Sequence, residues 1–354
     1  LERSRDGDET TLMFWDAMEK LVRIGEPAVP QLVQHLNDYK RDRVRARVMM
    51  VLERMGPAAT LPLLEALNSP QRLLRQNVCL LLGNIGRGGR DRRALGHLLK
   101  VYEAPDEIPE VRDLAAQAIE AIGGQAPGRI LSAKEHLLML AEDFYYNENL
   151  SATTRILSDP KGPLSIVWVW RADGNHPDGG ALVPLNLMTY ESPDGRRQEG
   201  FVPSFAYNEL MAEEILYDAL QCDPGYEPAI SLLVADFLAQ EQEVLDLIDT
   251  LHAVEGEGRE AERAYLAQRR EELAKARLFA LAAGPRYVHQ ALRRAMRDRD
   301  VGLSQACMEV LSAIDTGETL PRTEADKDRA GRETFPIFFP PLRPEPESAT
   351  GARR

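Results

Sequence analysis

A sequence pattern recurs about every thirty residues along the first third of the chain. An apolar residue followed by glycine stands at Ile24-Gly25, Met55-Gly56, Ile85-Gly86 and Ile122-Gly123, at intervals of 31, 30 and 37 residues. Apolar side chains precede each glycine by four and eight positions, which is the spacing of one helical face. A repeat of this length predicts a chain of stacked supersecondary units, because each unit must share its apolar face with the next.

Each repeat predicts two helices that meet near the glycine. Glycine ends the first helix because a residue without Cβ adopts the left-handed C-cap conformation without strain. In the first copy, a second apolar pattern follows at Val29, Leu32, Val33 and Leu36. Two short helices cannot bury their apolar faces alone, so neighbouring pairs must stack. The sequence therefore predicts an all-α fold of the α-solenoid (α-α superhelix) class.

An arginine preceded by a branched aliphatic residue stands eleven positions before three of the glycines, at Val44-Arg45, Leu74-Arg75 and Val111-Arg112. We expect these arginines to join adjacent repeats rather than to bind a ligand. The pattern resembles HEAT repeats of the short bacterial type, also called PBS-lyase HEAT-like repeats, over residues 12 to 124 and in degenerate form over residues 284 to 315. The resemblance implies an armadillo-like helical fold. Phe14 replaces the arginine of the first copy.

The middle of the chain departs from this repeat. Residues 131–205 predict one more helix and a small β-hairpin insertion, since 164–171 and 181–190 are strand-like and a Gly/Asp/Pro turn separates them. The turn carries Asp173, Asn175, His176 and Asp178, which are residue types that bind metals. Pro177 and Pro184 occupy positions where a calcium loop needs ligands, so we expect an ordinary turn.

Helical spacing resumes beyond the insertion. The sequence predicts five segments: HEAT-like repeats at 1–130, a helix with the β insertion at 131–205, an acidic TPR-like helical hairpin at 206–256, a long charged helix with a degenerate repeat at 257–315, and a Pro/charge-rich tail or linker at 316–354. In the tail, Pro341 and Pro344 leave open the alternative of an SH3-type ligand.

Charge is distributed unevenly along the chain. The net charge is +1 for residues 1–130, −16 for 131–256 and +2 for 257–354. The basic residues of the first block cluster, and they give a candidate polyanion-binding set of Arg43, Arg47, Arg72, Arg90, Arg92 and Arg93. The alternatives are a solvated helical face, nucleic acid, an acidic protein partner, or an intramolecular contact with the acidic middle block.

No catalytic motif is present: the chain has no P-loop, no GxSxG, no HExxH and no GxGxxG after a strand. HEAT-like folds include a di-iron hydroxylase that uses repeated His-Glu pairs, but none of the six histidines here is followed by Glu. We therefore expect no catalytic residue, no cofactor and no metal site, with every histidine exposed or capping. Three cysteines without a CxxC pair predict no disulfide framework, and no apolar run is long enough for a membrane span.

The resulting expectation is a non-catalytic scaffold that binds an unidentified protein partner on a solenoid surface. Two alternatives stay open: polyanion or nucleic-acid binding through the six arginines, and a HEAT-family lyase or hydrolase. The cytoplasm is the favoured location, with secretion or a periplasmic location open where a signal precedes residue 1.

Overall fold

The computed structural model describes residues 2–146, 157–159, 162–174, 176, 179–185, 188–191, 197–203, 206–253 and 260–316. The helices in these ranges are α1 Glu2–Ile24, α2 Val29–Val33, α3 Asp42–Met55, α4 Thr60–Ala66, α5 Arg72–Ile85, α6 Leu95–Glu103, α7 Pro109–Gly123, α8 Ala133–Tyr145, α9 Tyr207–Cys222, α10 Glu227–Ala253, α11 Glu260–Ala283, α12 Pro285–Asp298 and α13 Val301–Thr316. The strands are β1 Leu157–Asp159, β2 Gly162–Ser165, β3 Trp168–Ala172, β4 Gly180–Pro184, β5 Met188–Glu191 and β6 Arg197–Pro203.

The chain divides into two compact units. The first comprises Leu1–Ala229 with Gly258–Glu262, and the second comprises Ile230–Glu257 with Arg263–Arg354. This division does not follow the five segments expected from the sequence, because packing joins the β insertion and α9 to the repeats although their patterns differ. None of the described helices combines the length and the low polarity that crossing a membrane requires.

The first unit is an α-solenoid of HEAT-like helical pairs, as the repeat predicts. The pairs are α1 with α2, α3 with α4, α5 with α6, and α7 with α8. The first helices of the last three pairs bury the predicted apolar stripe, whereas on α1 Ala17 is exposed, Leu21 is half-buried and Met18 is buried instead. Val48, Leu52, Val78 and Leu82, at the positions four and eight residues before their glycines, are almost fully buried. We call the side formed by α1, α3, α5 and α7 the outer face, and the side formed by α2, α4, α6 and α8 the inner face.

The three repeated arginines join adjacent repeats, which confirms their predicted role. Arg45 donates to the carbonyl of Asp38, Arg75 to that of Ser69 and Arg112 to that of Ala104, each at 2.7 Å. Each carbonyl lies just beyond the second helix of the preceding pair, where no helical hydrogen bond satisfies it. Arg75 also bonds Glu107 of the next repeat at 2.7 Å. The arginine therefore recurs because every junction leaves the same carbonyl to satisfy.

The predicted glycine caps are found in only two of the four repeats. Gly25 and Gly56 have φ of 71° and 62°, in the left-handed region. Gly86 has φ of −83°, and a Cβ there would lie 2.5 Å from the carbonyl oxygen of Asp91, so close packing requires the glycine. In the fourth repeat the left-handed residue is Gly124, one position later than predicted.

The β insertion is present and is larger than the predicted hairpin. Strands β3 and β4 form an antiparallel hairpin with the register Trp168↔Pro184 to Ala172↔Gly180. Strands β1, β2, β6 and β5 form a second, antiparallel sheet in that order. Backbone bonds from Asp173 to Gly179 and from His176 to Asp173 close the turn of the β3–β4 hairpin. Asn175 and Asp178 of this turn lie outside the described residues, as do Pro341 and Pro344 of the tail.

The two helices of the predicted TPR-like hairpin are divided between the two units, and a TPR-like assignment stays a prediction. Both predicted helices exist, but α9 belongs to the first unit, whereas α10 from Ile230 belongs to the second. Helix α9 packs along α8, with the Phe144 and Tyr207 rings edge to face at 6.4 Å and Lys134 bonded to Asp223 at 2.7 Å. In the second unit α10, α12 and α13 share one apolar core, which includes Leu238, Val288 and Val310. Helices α11 to α13 occupy the segment for which a long helix and a degenerate repeat are predicted, and the assignment of α12 and α13 to that repeat stays a prediction.

Candidate interaction surface

The chain itself occupies the inner face of the first unit. The β3–β4 hairpin lies on α2 and α4, and the indole nitrogen Nε1 of Trp168 donates to Oε1 of Glu26 at 2.8 Å. The backbone N–H of Trp170 donates to Oε2 of Glu65 on α4 at 3.1 Å. Together with α9, this hairpin covers the side of the solenoid that would otherwise offer a concave surface.

A small cavity remains beneath the hairpin. It is lined by α4, α6, α9 and the residues entering β3, and the volume open to the centre of a water molecule is about 20 Å³. That is room for about one water molecule. Burial raises the pKa of Glu26 in its wall to about 7, although the Trp168 hydrogen bond and the charge of Arg93 act in the opposite direction. Burial also raises the pKa of Tyr207.

His97 corrects the expectation that every histidine is exposed or capping. It is buried on α6, and its Nε2 lies 3.1 Å from Oδ2 of Asp218 on α9. Lys100 donates to the other oxygen of Asp218 at 2.7 Å and to Gln221 at 2.7 Å. This cluster also joins the acidic middle block to the N-terminal repeats, as the intramolecular alternative predicts, through Lys100 and not through the six candidate arginines. Spacing along the chain does not indicate the His97–Asp218 pair, because the two residues are 121 positions apart.

The outer face carries a row of exposed apolar side chains, one on each of three successive helices. Trp15 on α1, Met50 on α3 and Leu80 on α5 are 46%, 45% and 39% exposed. One helical turn after each stand Glu19, Arg54 and Asn84. Glu19 lies 3.9 Å from Arg54, and Asn84 donates to Glu53, beside Arg54, at 2.6 Å. These links join the three neighbouring helices about one turn beyond the exposed side chains. We call Trp15, Met50 and Leu80 the outer row.

Aromatic and arginine side chains flank the first two members of the outer row. The Phe14 ring packs edge to face on Trp15 with centroids 5.6 Å apart, and the guanidinium of Arg47 lies 5.1 Å from the Phe14 centroid. Phe14 stands at the position that holds arginine in later repeats, so α1 offers an aromatic platform instead of a junction contact. Tryptophan and arginine are the residues that most often dominate the energy of protein interfaces.

The structure distributes the six candidate polyanion-binding arginines over different places. Arg43 and Arg47 are exposed on α3, and Arg72 at the start of α5 lies 3.1 Å from Glu110. Arg90 and Arg92 are exposed after the end of α5, about 20 Å along the helix axis from Arg72. Arg93 is turned inward and bonds both oxygens of Asp91 and the carbonyl of Pro57. Polyanion binding by this set stays a prediction.

Comparisons with known proteins identify no family for the chain. No family model matches it, and no curated protein matches it. A solved structure of human deoxyhypusine hydroxylase in complex with glycerol is similar to the chain at 19% identity, covering 83% of this chain and 98% of that chain with a TM-score of 0.24. A likeness this weak carries no argument, so the HEAT-like fold rests on the helical pairs, their arginine junctions and their shared core.

Proposed function

We propose that this protein is a non-catalytic scaffold that binds a helix of another protein on its outer row. The observation that carries the proposal is the exposure of Trp15, Met50 and Leu80 on three neighbouring helices, on a face that no described part of the unit covers. The β3–β4 hairpin and α9 occupy the opposite side, whereas the outer face is open to a partner. Resemblance to the short bacterial HEAT type and a cytoplasmic location are part of the same proposal.

The dimensions of the outer row fit a helical partner. Packed helices lie about 8 to 10 Å apart, so three successive helices place the outer row over about 16 to 20 Å. A helix rises about 1.5 Å per residue, so about 11 to 13 residues span this distance. A partner helix with one apolar face would contact all three side chains, and such a helix is a common ligand of grooved helical surfaces.

The charges around the outer row favour a protein over a phosphate polymer. Three acidic side chains, Asp16, Glu19 and Glu53, alternate with three basic ones, Lys20, Arg47 and Arg54. Lys20 already bonds Asp16 at 2.7 Å, and Glu19 lies near Arg54. A nucleic acid gains affinity from cations that neutralise phosphates, and carboxylates interspersed among them oppose that gain. A mixed-charge rim around apolar anchors is typical of protein interfaces.

The size of the inner cavity supports a non-catalytic role over a lyase or hydrolase. Ligand pockets of enzymes have volumes of about 300 to 1,000 Å³. The cavity beside Glu26, His97 and Asp218 has room for about one water molecule. These three ionisable groups are therefore placed to join α9 and the hairpin to the repeats.

Site-specific photo-crosslinking tests the scaffold proposal. We place a benzophenone amino acid at Ala46, which is exposed one turn before Met50, and irradiate extracts of the native host. We expect a discrete protein adduct whose yield falls at least tenfold with Trp15→Ala or Leu80→Ala, because loss of an interface anchor costs about 2 kcal/mol or more. Two controls use Gln117, which is exposed on α7. One carries the probe at Gln117 instead of Ala46. The other keeps the probe at Ala46 and has Gln117→Ala as the substitution matched to Trp15→Ala and Leu80→Ala.

A peptide makes the test independent of the extract. A synthetic helix copied from the cross-linked partner segment should bind the purified protein in fluorescence anisotropy, and Met50→Glu should abolish binding. Equal adducts at both probe positions, or a partner segment without helical apolar spacing, would refute the proposal. An adduct sensitive to nuclease would instead favour the polyanion alternative.

The polyanion alternative has its own test. The probes are a labelled 20-base-pair DNA duplex and a labelled RNA of the same length, titrated between 50 and 200 mM salt. On the scaffold proposal we expect no binding that weakens with the steep salt slope of several phosphate contacts. A slope corresponding to four or more phosphates, removed by Arg43→Glu with Arg47→Glu and unchanged by Arg129→Glu, would establish nucleic-acid binding instead.

A further inference from the structure

We propose that two copies of this chain associate through the first helix of the solenoid, with α1 of one copy antiparallel to α1 of the other. The contact surface is one apolar stripe of α1, which we call the end stripe: Met13, Ala17, Leu21 and Ile24. Successive residues turn by about 100° around a helix, which places Trp15 on the opposite side of α1. The inference therefore does not depend on what binds the outer row.

The end stripe occupies positions that form the core in the later repeats. Its members stand twelve, eight, four and one residues before Gly25, which follows α1. The equivalent side chains of α5 and α7 are all buried: Leu74, Val78, Leu82, Ile85, Val111, Ala115, Ile119 and Ile122. On α3 three of the four are buried, and Val44 is the exposed one. The end stripe is therefore the side of a first helix that other helices cover in the later repeats.

On α1 these core positions are open to solvent. Met13 and Ile24 are 67% and 56% exposed, Ala17 is exposed, and Leu21 is half-buried. No described part of the chain covers them. The terminal repeat of a solenoid that ends in water needs a polar outer face. An apolar stripe at this end instead indicates that a further helix packs there.

Helix α1 turns the end stripe away from the rest of the solenoid. Of residues 13–24, only Met18 is buried, and Glu19 lies 3.9 Å from Arg54 on α3. At 3.6 residues per turn, Met18 and Glu19 lie at least a quarter of a turn around α1 from Met13 and Ala17. A helix laid on the end stripe is therefore on the side of α1 away from α3.

The end stripe is complementary to itself when two copies run antiparallel. At about 1.5 Å per residue it is about 16 Å long, and its midpoint falls between Met18 and Glu19. A two-fold axis at this midpoint places Met13 opposite Ile24 of the other copy, and Ala17 beside Leu21 of the other copy. The larger side chains thus meet at the two ends, and the small Ala17 near the middle lets the helices approach closely.

The charges beside the end stripe favour a second copy as the occupant. Asp16 and Lys20 stand along one edge of the stripe, both exposed and joined at 2.7 Å. The same two-fold axis brings Asp16 of each copy beside Lys20 of the other, so the charges alternate along the contact. A parallel pair would instead set like charges against each other, which opposes association. A second copy supplies this charge order by symmetry, and two-fold pairs of identical chains are the commonest oligomers.

Sedimentation equilibrium of the full chain tests the pairing. We expect a monomer–dimer equilibrium at micromolar concentrations. Met13→Glu should raise the Kd of dimerisation at least tenfold, because each dimer then buries two unpaired carboxylates. Met13 is exposed in the single copy, so far-UV circular dichroism should not change. The matched control is Met139→Glu on α8, where the methionine is also exposed, and this variant should keep the wild-type Kd.

Cross-linking tests the antiparallel arrangement. The background is Cys222→Ser, because Cys222 is exposed whereas Cys79 and Cys307 are buried. One preparation carries Met13→Cys and a second carries Ile24→Cys. A short bismaleimide should link the two preparations when they are mixed and should link neither preparation to itself, because only positions 13 and 24 face each other.

Each other result overturns the proposal. A chain that stays monomeric at every concentration would leave the end stripe without a second copy. A dimer whose Kd is unchanged by both Met13→Glu and Ala17→Glu would assign association to another surface. Cross-links within the Met13→Cys preparation alone would show a parallel pair.

Discussion

Asp91→Ala is expected to lower the free energy of unfolding by about 3 to 5 kcal/mol, the usual cost of leaving one member of a buried ion pair alone. The Asp91 and Arg93 side chains are 5% and 10% exposed, and two bonds of 2.9 and 2.6 Å join them. Asp91 also accepts the hydroxyl of Thr60 at 2.8 Å. The substitution therefore strands a guanidinium and a hydroxyl between two repeats. Urea unfolding at pH 7, followed by circular dichroism, measures the loss.

A double-mutant cycle separates the ion pair from the side chains themselves. Arg93→Met should also destabilise the protein, and the double variant with Asp91→Ala should lose less than the sum of the two single losses. Arg90→Met, three residues earlier and exposed, is the matched control and should change stability by less than about 0.5 kcal/mol. Additive losses of stability in the cycle would contradict energetic coupling between Asp91 and Arg93. Arg93 would then again be a candidate for binding a polyanion.

The Asp91–Arg93 pair also predicts how the free energy of unfolding changes at acidic pH. Burial acts to raise the pKa of Asp91, but the hydrogen bonds and charge of Arg93 outweigh burial and hold the pKa below its ordinary value of 3.8. A lowered folded-state pKa gives stability that is complete above the ordinary value and is lost as the pH falls through the folded one. Asp91 therefore contributes to acid unfolding below about pH 4 and has no part in changes near neutrality.

Glu26→Gln is expected to stabilise the protein at pH 8.5 and to change little at pH 5. The folded pKa of about 7 lies above the ordinary 4.5, so the unfolded chain loses this proton first. The wild type is therefore most stable below the ordinary value and loses stability as the pH rises through 7, by about 3 kcal/mol for the full shift.

Urea unfolding at half-unit steps from pH 5 to pH 9 measures this effect. The difference between wild type and Glu26→Gln should grow through pH 7 and then level off. Glu120→Gln should follow the wild-type profile at every pH, since its side chain is exposed. A difference that is constant with pH would contradict a buried titrating carboxyl group and would point to an effect of the substitution on packing alone.

The repeat and its junctions are readable from the sequence because they are local. Helical spacing and the arginine eleven positions before the glycine both act within one pair or across one junction. For this reason the solenoid, the role of Arg75 and the strand character around Trp170 are confirmed by the structure. The predicted glycine caps are confirmed in fewer repeats. At Gly86 glycine is required because the carbonyl oxygen of Asp91 lies too close for a Cβ, and no spacing pattern in one sequence indicates such a contact.

The candidate interaction surfaces were also predictable from the sequence only in part. Exposure of Met50 and Leu80 follows from their equivalent positions, six residues before their glycines, on the polar side of each first helix. In the first repeat, Phe14 stands where later repeats have arginine, which distinguishes this repeat in the sequence. Only the structure shows that the guanidinium of Arg47 lies over the Phe14 ring. The six arginines were grouped by nearness in sequence, and they separate in space because the two ends of α5 lie about 20 Å apart.

Sequence alone determined the stacked helical pairs, the β excursion and the uneven charge, because periodicity and composition act on neighbouring residues. Only the tertiary structure decided that the hairpin and α9 occupy the inner face and that His97 meets Asp218 across 121 residues. It also decided which of the basic residues face solvent. Contacts between distant segments depend on how whole elements pack, and the spacing of side chains within one element carries no record of them.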